Sequence, residues 1–134
     1  MPVSSAAMCS NFRRLSEAHG RLADNVQTLI DRLYDDLMDL IGEPYRSRFR
    51  TKWEAANTID KKIDAVERAI RNILDNFDRI VRQYDQAVAA GAPVVFWPRD
   101  ALAKLRELKE LLRALKALRE LQRVFASIAD YWCG

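Results

Sequence analysis

The side chains in this sequence that could do chemistry are few and scattered. His19 is its one histidine, and Cys9 and Cys133, its two cysteines, stand near opposite ends of 134 residues. A catalytic triad, a zinc site or a di-iron bundle needs an imidazole with partners at fixed spacing, such as Glu-x-x-His on facing helices. No such set is present, and there is no glycine-rich phosphate loop. The residues imply no catalytic group, no metal ligands and no cofactor, so the chain is read as a non-enzyme. His19 falls on an apolar helix seam, where an imidazole bonded to a neighbour is the plainer reading.

One cluster invites a binding role. Arg46, Arg48, Arg50 and Lys52 crowd into the opening turns of a helix, where positive charge opposes the helix dipole at a cost of about 0.3–1 kcal/mol each. Interleaved with Tyr45, Phe49 and Trp53, they form a candidate anion-binding set. A structural role competes with it. Asp31, Asp35, Asp36 and Asp39 end the preceding helix with equally misplaced negative charge. A hairpin at Gly42 would bring Asp39 to Arg46, and Asp35 or Asp36 to Arg48 and Arg50. The formal charge of +3 is too small to argue for nucleic acid by itself, although Arg99 to Arg123 holds eight basic and four acidic residues. A nucleic-acid partner is disfavoured.

Apolar residues repeating every three then four positions define the elements that carry these groups. Phe12, Leu15, His19, Leu22, Val26, Leu29, Leu33, Leu37 and Leu40 form a first seam. Tyr45, Phe49, Trp53, Ile63, Val66, Ile70, Ile73, Phe77, Ile80 and Tyr84 form a second. Gly42 and Pro44 mark a tight turn between them, and Gly91-Ala92-Pro93 ends the second helix. The expected fold is all-α: a long antiparallel hairpin plus a third helix, a three-helix bundle able to dimerise into a larger one. Helices are expected over about 10–41, 44–90 (with a possible bend at Asn57-Thr58) and 99–132, in one domain over 10–134. A loose arm or frayed turn over 1–9 precedes them. In an up-down-up bundle the first helix starts and the third ends at opposite poles. A 30-residue helix is about 45 Å long, and disulfide-bonded Cα atoms sit within roughly 7 Å. Cys9 and Cys133 are therefore expected as free thiols.

The third helix opens at Pro98-Arg99-Asp100 with Asp100 as its expected N-cap, and from Ala101 to Arg123 uses only strong helix formers. Its leucines, Leu102, Leu105, Leu108, Leu111, Leu112, Leu115, Leu118 and Leu121, often recur every third residue, so the stripe winds, and the helix must touch two neighbours in succession, cross them at an angle or leave leucines for a partner. Such a stripe makes a poor membrane-binding face. So plain an alphabet also admits an engineered or generated bundle, or a small phage-type inhibitor that masks a target surface. Val94, Val95, Phe96 and Trp97, just before it, either cap the bundle end or form a candidate partner-binding hook. No apolar run approaches the roughly 18–20 residues of a membrane span. A cytoplasmic protein, or one secreted without a cleaved signal, is expected.

Around the hairpin, Leu40-Ile41-Gly42 followed by Phe49 and Lys52-Trp53-Glu54-Ala55 resembles the small Trp-x-Gly and Leu-x-Gly helical-hairpin proteins of type VII secretion. The likeness covers about Ser10 to Ala90. It implies that Leu40, Gly42, Phe49 and Trp53 shape the turn, and that the hairpin pairs with a helical partner or a second copy into a four-helix bundle. Two positions depart from the pattern: Leu40 stands at the turn tryptophan, and Val88 where Tyr84 would begin an export signal.

Overall fold

In the computed structural model, which describes residues 4–134, five α-helices carry the chain and no strand occurs among the described residues. They are α1 (Ser5–Leu40), α2 (Tyr45–Ala55), α3 (Ile59–Asp75), α4 (Phe77–Ala89) and α5 (Pro98–Cys133). The all-α class is as expected, but the single helix expected over 44–90 is three. Contacts gather into two compact units: the chain up to Leu29 with Arg113–Gly134, and Ile30–Leu112.

Local chemistry explains each boundary. Ser4 caps α1, its hydroxyl accepting from the Ala7 N–H at 3.1 Å, so the helix opens at Ser5 and not at Ser10. Of the arm expected over 1–9, residues 1–3 lie outside the described part. Ala56 turns to extended backbone, and Thr58 caps α3 by accepting from the Lys61 N–H at 3.1 Å, which makes the Asn57-Thr58 bend a break. Asn76 separates α3 from α4. Its Nδ2 donates to the Asn72 carbonyl at 2.8 Å, the local competition with the helix ladder that asparagine offers. Gly91, with φ +77°, ends α4 in a Schellman turn in which Ala92 N–H reaches Ala87 and Gly91 N–H reaches Val88, both at 3.0 Å. Pro98 takes the first position of α5, and the Ala101 N–H bonds to the Trp97 carbonyl at 3.0 Å. Asp100 thus sits inside the first turn, complementing the dipole, and is not the cap.

Within the first unit, α1 and α5 run antiparallel. Cys9 meets Cys133 in a disulfide with Cα atoms 5.0 Å apart. Phe12 stacks on Phe125, Ser16 Oγ donates to the Gln122 carbonyl at 3.1 Å, and Arg119 pairs with Asp24 at 2.8 Å. The expectation of free thiols is corrected. It rested on an odd number of full-length passes, whereas the breaks at 56–58 and 76 let α5 return alongside the start of α1.

The second unit holds the larger core. Ile30 and Leu37 from α1 and Ile41 just past its end are fully buried, as are Leu105, Leu108 and Leu112 from α5, while α2 and α3 contribute Phe49, Trp53, Val66 and Ile73. The winding stripe of α5 is thereby divided between the two units. Leu102 through Leu112 serves the second, Leu115 and Leu118 serve the first, and Leu121 stays exposed.

Candidate functional site

Spacing splits the basic cluster of α2. Residues two apart in a helix point about 200° apart, so Arg46 and Arg50 share one face, and Arg48 and Lys52 the opposite one. Arg46 Nε donates to the Ile41 carbonyl at 2.8 Å, closing the end of α1, and lies 3.9 Å from Glu43. A cation on an orphan carbonyl at a helix C-terminus is favourable. Arg48 lies over the Tyr45 ring at 5.9 Å. Among the described residues neither Asp35, Asp36 nor Asp39 is in ion-pair distance of Arg46, Arg48 or Arg50. The expected carboxylate–guanidinium register is corrected: one face of α2 turns away from α1 altogether.

Glu43 takes over the capping that Pro44 cannot supply. Its Oε2 accepts from Ser47 Oγ at 2.6 Å and from the Ser47 N–H at 3.4 Å. The Ser47 hydroxyl bond holds the Glu43 carboxyl below its usual range, aided by the backbone bond and Arg46, against a smaller effect of burial.

Of the turn residues Leu40, Gly42, Phe49 and Trp53, the last three serve packing and Leu40 is half-buried. Trp97 lies against Gly42 so closely that a Cβ there would stand 2.5 Å from its Nε1. Phe49 and Trp53 are buried, and Trp53 is held between two groups: Tyr34 stacks on it at 4.9 Å, and Lys62 Nζ lies 4.0 Å from its centroid. Burial lowers the Lys62 pKa, partly offset by Asp31. Burial, then the charge of Glu54, raises that of Tyr34, against Arg50. Cation–π contact suits a partly desolvated ammonium.

The connector divides in the same way. Phe96 packs edge-on to Phe77 and Tyr84, and Trp97 meets Tyr45 at 5.7 Å. Only Val94 and Val95, 39% and 73% exposed, face out. As a hook for a partner, the set of four is halved.

A further apolar surface lies on α1 and α5. His19 Nδ1 is 2.7 Å from the Leu15 carbonyl, and its ring lies 5.0 Å from Phe125. But α1 meets α5 through Phe12, Ser16, Gly20 and Ala23, and Leu15, Leu22 and Leu29 stay 40%, 51% and 48% exposed. Small side chains let the helices approach until a serine reaches the opposite backbone. The seam expected for α1 is therefore rotated, leaving leucines at seven-residue spacing outside it. On α5, Ala114, Ala117, Leu121, Val124 and Tyr131 are exposed and Ile128 half-buried, a second three-four stripe. At 100° per residue each stripe lies about 120° round from the contact line. Because the helices run antiparallel, both stripes fall on the same side of the pair. The sequence carried a signal for this: Ser16, Gly20 and Ala23 repeat at helical spacing beside the leucines.

No helix among the described residues is long and apolar enough to cross a membrane, and no group of three or more His, Cys, Asp or Glu among them could hold a metal ion. No family model matches the chain, and no curated protein or solved structure matches it.

Proposed function

We propose that this chain is a non-enzymatic helical protein-binding module, in which the α1–α5 pair contributes two helices to a larger bundle completed by a partner. The observation that carries the reading is the exposure of Leu15, Leu22 and Leu29 on the side of the pair that also bears Leu121, Val124 and Tyr131. Seven-residue leucine spacing is coiled-coil register, and covering the open half of each leucine is worth about 1 kcal/mol. The stripe from Leu15 to Leu29 is about 21 Å long, four turns of a facing helix. The first unit holds seven Lys and Arg against four Asp and Glu, so a second copy meets like charge and an acidic helical partner is favoured over a homodimer.

The resemblance to type VII secretion hairpins around Leu40 to Trp53 supports a partner of that architecture. The Cys9–Cys133 disulfide belongs with oxidising surroundings, which supports an exported protein over a cytoplasmic one. A generated bundle or a phage-type inhibitor, the alternative raised by the simple alphabet of α5, uses the same face on a different target.

A photo-crosslinker at position 22, with a control at exposed position 36, tests the reading in the organism's own cells alongside light scattering on the purified chain. Adducts at 22 with one helical protein, lost when Leu15 and Leu29 become Gln, are expected. A strict monomer yielding no adduct at 22 refutes it.

A further inference from the structure

Helix packing accounts for Arg46 but leaves the opposite face of α2 unexplained. There Arg48 and Lys52, one turn apart, line a cleft of about 690 Å³ together with Arg68 and Arg71, one turn apart on α3. Phe49, Ala65 and Ala69, all buried, form its apolar floor. Lys52, Arg68 and Arg71 have no ion-pair partner among the described residues. Asp75 lines the same cleft, and Asp64 lines the smaller hollow that shares Lys52, Ala65 and Arg68 with it. Four cations thus gather in a cleft whose one carboxylate, Asp75, comes from the last residue of α3.

Four like charges with a single carboxylate beside them repel, and an anion among them relieves that repulsion. Three guanidinium forks and one ammonium offer more donors than a carboxylate has lone pairs, and match the oxygens of a dianionic phosphate. The volume lies within the usual range for small-molecule sites, which pair an apolar lining with a few polar groups. Alanines at 65 and 69 leave room for a flat group above the floor. We infer that the α2–α3 cleft binds an organic phosphate monoester. Arg48, Lys52, Arg68 and Arg71 surround the phosphate, and Phe49, Ala65 and Ala69 receive the apolar body. The site is separate from the exposed leucine face of the first unit and independent of that reading.

Phenyl phosphate, inorganic phosphate and phenol, each titrated to about 10 mM so that a millimolar site fills, are the probes. Amide chemical shifts of the full chain report location and affinity. Phenyl phosphate is expected to bind at least about tenfold tighter than either fragment, with shifts confined to α2 and α3. In the R68Q/R71Q variant its affinity falls at least about tenfold, while R13Q/R123Q, in the first unit, keeps it. Far-ultraviolet circular dichroism verifies that helix content is retained, since all four substituted positions are exposed. A phosphotyrosine hexapeptide separates the two sources of such a group. Tighter binding than phenyl phosphate points to a phosphorylated side chain, and equal or weaker binding to a free metabolite. The inference is overturned if phenyl phosphate gains nothing over inorganic phosphate, if R68Q/R71Q binds it like the parent, or if no shift appears at the highest concentration.

Discussion

Replacing Gly42 by alanine tests the packing that joins the turn to the start of α5. The added Cβ would stand 2.5, 2.8 and 3.1 Å from Nε1, Cε2 and Cζ2 of Trp97. Comfortable carbon contacts begin near 3.5 Å, so the indole must retreat by about 1 Å. It has little freedom to do so, because Pro98 beside it is fully buried and the Tyr45 ring lies 5.7 Å away. Overpacking of this kind costs about 1–3 kcal/mol, a fall in Tm of about 4–10 °C for a chain of this length. Urea titration followed by tryptophan fluorescence measures it. Gly20→Ala is the internal comparison. Its Cβ meets Gln122 Nε2 at 2.8 Å, the far end of a flexible side chain, and alanine gains roughly 0.5–1 kcal/mol inside a helix. That variant is expected within about 0.5 kcal/mol of the parent. In a Trp97→Leu background the penalty of Gly42→Ala should largely vanish. A Gly42→Ala variant as stable as the parent, or one equally damaged with and without Trp97, refutes the close-approach explanation.

Three further outcomes are expected. The disulfide closes a sequence separation of 124 residues, for which loop entropy gives at most about 5 kcal/mol; C9S/C133S should lower the unfolding free energy by about 3–5 kcal/mol, and an unchanged urea midpoint on reducing the parent contradicts this. Thr58→Ala removes the acceptor for the Lys61 N–H and should cost about 1 kcal/mol, seen as faster amide exchange in the first turn of α3; unchanged exchange there would show that the cap is dispensable. The Glu43 carboxyl is held below its ordinary value in the fold, so its stabilising contribution is complete above the unfolded carboxylate pKa and is lost as pH falls through the lower folded one. Between pH 6 and pH 2 the stability of Glu43→Gln should consequently fall less than that of the parent, and parallel curves would show that Ser47 does not hold the charged form.

Much of the fold was legible because its signals are local. Gly42, Thr58, Gly91 and Pro98 mark boundaries through backbone and capping chemistry that needs no distant partner, and the three-four repeats fixed the helical class. The break at Asn76 was harder to see, since one asparagine competing for the Asn72 carbonyl is outvoted in any periodicity by the apolar residues around it. The candidate sites were legible only in part. Arg48 and Lys52 are visible as charge, but their grouping with Arg68 and Arg71 requires α2 to fold back on α3.

By itself, the sequence determined the helical class and several of the helix ends, because propensity, capping and periodicity act within a few residues. The tertiary structure decided which way each stripe faces. Ser16, Gly20 and Ala23 won the contact with α5 over the larger leucines because small side chains permit backbone approach, and periodicity cannot weigh the two. It also decided that Cys9 reaches Cys133, since whether two chain ends meet depends on how many passes the breaks between them create.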